Sequence, residues 1–213
     1  MEIIMRNSLI PLAVAVVVLA LPGCKLVKNV DSPAGQAASA DPITTLADAT
    51  FESKLLPHIA KTALPVADLR TAIATDLAAA GTAHGNRGAG EGAAWAFAVK
   101  GEGKVVSANL TSRARQADLD TDGDGVADLS LALGPVIKGT ALRDVAPFYV
   151  FGDFRDQIEF AQLARALNDK ASPLLVLPEG DLTGKSIKFT GVVPIKSAND
   201  AWVVTAVSVT VAP

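Results

Sequence analysis

The stretch Ala94-Trp95-Ala96-Phe97-Ala98-Val99-Lys100 decides the fold. Before it, apolar residues recur every three to four positions. Here they alternate, with Trp95, Phe97 and Val99 on one face and alanines between them, the period of a strand. From this point the chain proceeds in strand-sized pieces. Val105–Leu110, Ala114–Leu119 and Ala127–Leu133 predict three strands bounded by turn residues. Asp153–Lys170 returns to helical spacing. Ser186–Val193 and Ala201–Val211 predict two closing strands, the last with Trp202, Val204 and Ala206 on one face and Val203, Thr205 and Val207 on the other. Three strands, a helix and two strands is the order of an OB-like five-stranded Greek-key β-barrel with a helix between strands 3 and 4. Trp95–Val99 reads as an extra strand ahead of that barrel.

Working outward to the N-terminal side, Thr44–Gly81 is helical in pattern. Leu55, Leu56, Ile59, Ala60 and Ala63 share a helical stripe. Pro65 opens a second helix, where its missing N–H is harmless, and Val66, Leu69, Ile73 and Leu77 form the stripe of that helix. Gly81 reads as the C-terminal stop. The class is thus α+β, with a helical hairpin and Gly-rich loop over residues 46–92 and the barrel over residues 93–213. Residues 24–45 read as a tether: Asp31–Pro42 is built from Ala, Ser, Gly, Pro and Gln and cannot bury a core.

Residues 1–23 have the form of a signal peptide. Arg6 gives the positive start, and Leu9–Leu21 is a 13-residue run, apolar apart from Pro11, too short for a bilayer span. Leu21-Pro22-Gly23-Cys24 resembles a lipobox, with Cys24 as the lipidation site and Pro22 where a small or β-branched residue is usual. The alternative is an uncleaved N-terminal anchor with an ordinary cysteine. Both place the domain in the periplasm or cell envelope.

The chain has 213 residues, half of them apolar, enough for one packed core. Its net charge is −3, and removal of Glu2 and Arg6 with the signal peptide leaves it at −3. A mildly acidic chain with few aromatic residues on its strands lacks the basic, stacking surface that nucleic acid requires. The single cysteine excludes an intramolecular disulfide.

Several stretches together resemble a known family: Phe97–Val106 (FAVKGEGKVV), Asp120–Gly125 (DTDGDG), Gly134–Asp144 (GPVIKGTALRD), and Phe154–Asn168 with its QIEFA and ALN segments. The resemblance is to bacterial predicted periplasmic lipoproteins, domain of unknown function 2291, and covers residues 24–211. The family has no established activity. Its genes often lie beside sugar uptake systems of the ABC type, so the resemblance implies a non-enzymatic accessory or binding component, with ABC transporter components or a small sugar-like ligand as partners and the membrane reached through the lipid anchor.

Three features are site-like. Asp120, Asp122, Asp124 and Asp128 occupy positions 1, 3, 5 and 9 of a calcium loop, with Gly125 at the sharp turn and the Val126 carbonyl at position 7. Leu131 stands where a bidentate acid belongs, and Asp-Gly between two strands is equally a hairpin-turn signal. Structural calcium and a plain turn both remain open. Thr140, Arg143, Asp144 and Gln157 form the second candidate, a ligand-binding set at one end of the barrel. Thr140 is a helix N-cap, and Arg143 pairs with Asp144 or with a ligand carboxylate. On the predicted helix, Gln157 and Asn168 fall within the apolar arc, where an amide braces the backbone or lines a polar pocket. The third concerns a rival reading, a carbohydrate-active hydrolase using Asp144, Asp153 or Glu159. Two such carboxyls facing one cleft roughly 5–10 Å apart would support it. A purely structural envelope module is the remaining alternative. Neither His58 nor His84 has a nucleophile in motif spacing.

Overall fold

Trp95–Asn109 is one continuous 15-residue strand, β1. In the computed structural model, which describes residues 41–88 and 90–212, β1 is the strand on which the barrel closes. Its N-terminal part, Trp95–Lys104, pairs antiparallel with β4 (Ser186–Ile195), and Lys104–Asn109 pairs antiparallel with β2 (Ala114–Asp120). β2 continues to β3 (Leu129–Pro135), β3 runs parallel to β5 (Trp202–Val211), and β5 is antiparallel to β4. The result is a closed five-stranded barrel preceded by helices. The expectation of a separate extra strand is corrected: Gly101 and Gly103 carry the strand through rather than end it. A Cβ at Gly103 would stand 2.7 Å from the Asp120 carbonyl oxygen, and one at Gly101 3.0 Å from the Phe189 ring. The neighbours cross this bend closely because there is no side chain to hold them off.

Alternation along β1 feeds two apolar clusters. Phe97, Val99 and Val105 join Leu119, Leu131 and Phe189 in the barrel interior. Ala96 and Ala98 point the other way and pack under Leu55, Ile59 and Leu163. Small outward residues allow the helices to lie close against the wall. On β5, Trp202, Val204 and Ala206 belong to the interior, while Val207 lies in the second cluster.

The helices depart from a simple hairpin. α1 (Pro42–Thr50) begins within the stretch read as tether, capped by the Asp41 side chain. It runs through a π-helical turn, Phe51–Leu55, into α2 (Leu56–Thr62). Pro57 has no N–H to offer the carbonyl of Ser53, and the turn widens so that the Leu56 N–H bonds the Phe51 carbonyl five residues back. α3 (Val66–Thr75) ends at Asp76, whose carboxylate accepts from the Ala78 and Ala79 N–H groups at 2.8 and 3.0 Å and starts α4 (Leu77–His84). Gly81 is therefore inside a helix and does not stop it. A side chain there would overlap the Trp95 indole, over which the Arg87 guanidinium lies at 4.0 Å.

In chain order β3 is followed by α5 (Ala141–Asp144), a 3₁₀ turn at Phe151–Asp153 and α6 (Gln157–Ala171), then β4 and β5. α6 starts later than its periodicity suggests because Asp156 caps it, accepting from the Glu159 N–H at 2.9 Å, while Glu159 reaches back to the Arg155 N–H at 2.7 Å. This reciprocal cap fixes the helix start. All described residues lie in one compact unit, Ala38–Pro213. The signal peptide, Cys24 and the tether up to residue 40 lie outside the described residues. Among the described residues no helix is long and apolar enough to cross a membrane.

Candidate functional site

The connection from β3 to α6 holds the second candidate set. Arg143 is 5% exposed. Its Nε donates to Asp144 Oδ1 at 2.8 Å, its Nη2 lies 2.6 Å from the same oxygen, and its Nη1 donates to the Phe160 carbonyl at 3.0 Å. The guanidinium carbon also stands 3.6 Å from the Phe160 ring centroid. Thr140 is at the N-cap position of α5 but makes no side-chain cap to the backbone. Its hydroxyl donates to Asp144 Oδ2 instead. Asp144 thus has both oxygens committed, and its backbone carbonyl accepts from Asn86 Nδ2 at 2.7 Å. The approach is tight enough that a Cβ on Gly88 would stand 2.6 Å from the Asp144 Cα.

Gln157 is exposed in the first turn of α6, so the expectation that it lies in the buried arc is corrected; the Asp156 cap puts it at the helix start. It nonetheless shares a pocket of about 330 Å3 with Arg143, Phe151 and Phe160. Phe151 in its lining is 44% exposed, and Val150 and Ile158, next in sequence to lining residues, are 54% and 70% exposed. Asn168, by contrast, is 4% exposed, and its Nδ2 braces the carbonyls of Ile137 and Gly139 at 3.3 and 3.0 Å. The structure joins Thr140 and Arg143 through one carboxylate and brings Gln157 to Arg143, whereas Thr140 lies on a different cleft.

In the acidic loop between β2 and β3, Asp120, Asp122 and Asp124 each present a carboxylate oxygen within 4.8 Å of the others. Asp120 is buried. Its Oδ1 accepts from the Gly123 and Asp122 N–H groups at 2.6 and 3.2 Å, and its Oδ2 from Gly125 at 2.9 Å. These bonds, that from Gly123 foremost, hold its carboxyl below the ordinary range. Gly123 and Gly125 adopt φ of +88° and +86°, which suit glycine. Asp128 turns away from the trio: its Oδ2 accepts from the Thr121 N–H and hydroxyl at 2.6 and 2.7 Å, and Arg70 lies 3.9 Å from its Oδ1. The Val126 N–H donates to Asp124 Oδ1 at 2.7 Å. Three carboxylates converge, and the fourth holds the loop closed.

Two further clefts bring together residues that the sequence keeps apart. Asp153 and Glu159 line one cleft of about 320 Å3, beside Lys54, Phe148 and Tyr149. At its base the Tyr149 and Thr50 hydroxyls are 2.6 Å apart. Asp144 is not part of it. The histidines His58 and His84 share another cleft with Lys61 and Asn86, and His58 Nε2 is 3.1 Å from the Val145 carbonyl oxygen. No spacing rule signals this pairing, because the two lie on different helices.

Comparisons with known proteins agree with this architecture. The model of a family described as "Predicted periplasmic lipoprotein (DUF2291)" matches residues 14–210. Among solved structures, an OB-fold protein from Thermotoga maritima MSB8 superposes with a TM-score of 0.59 at 13% identity, covering 81% of this chain and 99% of that one. At that identity the likeness concerns the fold alone. No match was found among curated proteins.

Proposed function

The chain belongs to the family of predicted periplasmic lipoproteins, and from that premise we propose that it is a non-enzymatic binding component that docks, from its lipid anchor at Cys24, onto a solute uptake system of the ABC type. The observation that carries this reading is the pocket of Arg143, Phe151, Gln157 and Phe160, with Phe151 exposed in its lining and two further exposed apolar residues, Val150 and Ile158, adjacent in sequence to lining residues. An arginine packed on an aromatic ring beside exposed apolar side chains has the composition of a contact centre, where arginine and aromatic residues are enriched. Arg143 and Asp144 hold the floor rigid, Thr140 orients Asp144, and Gln157 offers the free amide. A photo-crosslinking residue in place of Ile158, in the native membrane, should capture an extracytoplasmic segment of a transporter component. Capture equal to that from a control position such as Thr183, on the Asp181 turn, would refute the reading.

The acidic loop supports a subsidiary proposal: Asp120, Asp122 and Asp124, with the Val126 carbonyl, hold a structural calcium ion, and Asp128 stiffens the loop from behind. A second function rests on one specific observation, the shared cleft of Asp153 and Glu159. In that reading the protein hydrolyses a carbohydrate with these two acids. Glu159 already spends Oε2 on the helix cap, which favours the docking reading. Release of sugar from a glycoside panel, lost in Asp153→Asn, would decide for the enzyme.

A further inference from the structure

Between the end of β3 and the face of α6 lies a cleft of about 500 Å3 that differs in charge from the rest of this acidic protein. Arg113, Lys138 and Arg165 reach it from three separate segments, and Asp169 is the one acid beside them. Among the described residues none of these three cations makes an ion pair or a side-chain hydrogen bond; the five ion pairs involve other residues. Three unpaired positive charges around one concavity make a field that attracts an anion, and Arg presents a fork suited to carboxylate or phosphate.

Asn168 lines the cleft and is 96% buried by its 4% exposure. Its Nδ2 is fixed by two carbonyl oxygens, which only the amide nitrogen can satisfy, so the orientation of the side chain is set. Its Oδ1 therefore faces away from them and accepts no hydrogen bond among the described residues. Among the described residues the side-chain polar atoms shut off from solvent without a partner are Arg70 Nε, Arg87 Nε and Trp95 Nε1, and this oxygen is not one of them. Asn168 lines the cleft, and its unpartnered Oδ1 is the acceptor there that a ligand hydroxyl can satisfy. Gly139, at φ +92°, leaves the space above it empty, with nothing within 4 Å of where a Cβ would stand.

We infer that this cleft is a binding site for a small hydroxylated anion: an acidic group held by Arg113, Lys138 and Arg165, and a hydroxyl donated to Asn168 Oδ1. A sugar acid or a phosphorylated sugar meets both requirements. A neutral sugar lacks the charge, and inorganic phosphate lacks the carbon-bound hydroxyl set at a distance. The site goes beyond the docking face and does not depend on it, because Arg143 and Gln157 line a different pocket.

The test is calorimetric titration of the full-length chain in detergent at low salt with four probes: gluconate, glucose 6-phosphate, glucose and inorganic phosphate. Gluconate or glucose 6-phosphate binds at least tenfold more tightly than the other two, and which of them is stronger identifies the acidic group. Added salt weakens the interaction. Lys138→Ala and Arg165→Ala, both at exposed positions, keep the wild-type melting temperature and each lower affinity about tenfold or more, the loss of one charge-assisted contact. Binding no stronger than that of inorganic phosphate would mean an adventitious ion only. That result, or affinity unchanged in both variants, overturns the inference. Crosslinking at Ile158 reads the docking face separately, so failure of one does not mask failure of the other.

Discussion

Replacing Arg143 by alanine removes four interactions at once, and the structure sets the size of the effect. The guanidinium is lifted from the Phe160 ring, worth about 1 kcal/mol for a partly desolvated cation–π contact. The hydrogen bond to the Phe160 carbonyl is lost, about another 1 kcal/mol. Two bonds to Asp144 Oδ1 disappear, leaving a carboxylate whose side chain is 14% exposed with Thr140 as its remaining side-chain partner. Stranding such a group costs about 1–3 kcal/mol. The sum, about 3–5 kcal/mol, agrees with what breaking a buried pair usually costs. The slight exposure of Asp144 and its retained bond to Thr140 place the expectation near the lower end, about 3 kcal/mol. With a urea slope of about 2 kcal/mol/M, the unfolding midpoint falls by roughly 1.5 M. Asp144→Ala added to Arg143→Ala removes the stranded charge and restores at least about 1 kcal/mol of that loss, a coupling that independent sites would not show. A midpoint for Arg143→Ala within about 0.3 M of wild type would refute the structural account of this pair. A fully stable variant that no longer crosslinks its partner would move Arg143 from the scaffold of the pocket to its contact surface.

Cys24→Ala abolishes membrane retention or leaves an unprocessed precursor, and mass spectrometry showing an unmodified Cys24 still joined to Gly23 in the wild type would contradict the anchor. Millimolar calcium raises the melting temperature by mass action on the folded state, and Asp122→Ala with Asp124→Ala removes the response; no shift and no calorimetric heat would leave the loop a hairpin turn. Asp118 is held below the ordinary carboxylate range, with burial opposing and hydrogen bonds from Ser107, Ser130 and Gln116 prevailing, and Asp156, Asp181 and Asp200 are held low chiefly by backbone N–H groups. A depressed carboxyl adds stability above its unfolded value near 4 and loses it as pH falls through the lower folded value, so stability declines below about pH 4, and Asp118→Asn flattens that decline in urea melts. Burial pushes the Tyr149 phenol up, with the Thr50 hydrogen bond opposing; its contribution is complete below about pH 10 and is lost as pH rises beyond, so Tyr149→Phe removes the alkaline fall. Gly81→Ala drives a methyl into the Trp95 indole and destabilises by about 1–3 kcal/mol, although alanine is the better helix former; a gain in melting temperature would show that Trp95 is free to move.

What could be read in the sequence was periodic. The alternation of Trp95, Phe97 and Val99 and of Trp202 and Val204 marks strands because one barrel face is apolar throughout. The stripe of Val66, Leu69 and Ile73 marks a helix for the same reason. Glycine was the hardest residue to read, because its absent side chain has opposite uses. Gly81 makes room for an indole within a helix, and Gly101 and Gly103 make room for crossing strands, yet each looks like a stop. Asp76 was hidden for a related reason: it breaks a helix without breaking the apolar stripe around it. Thr140, Arg143 and Asp144 were legible as a set because they are neighbours. Arg113, Lys138 and Arg165 were not, since only the fold brings a β1–β2 turn, a β3 exit and an α6 face to one cleft.

The double pairing of β1 has a consequence for how the protein is made. The N-terminal half of this strand is closed by β4, with Trp95 opposite Ile195 a hundred residues downstream. Export delivers the chain N-terminus first, so β1 emerges with its hydrogen-bonding edge open while β2 and β3 already stand beside its other half. The short segments Leu64–Pro65 and Gly85–Asn86 pair with this half earlier, but the barrel cannot seal until β4 and β5, residues 186–211, have crossed. A high-contact-order barrel of this kind folds late and slowly, and its open edge is a template for association with other chains in the interim. The π-helical turn and α2, which emerge before β1 and place Leu55 and Ile59 over its outer alanines, shield one face of that strand while it waits. Truncations that keep these helices but end before Ser186 should therefore aggregate through β1 rather than remain as soluble partial barrels.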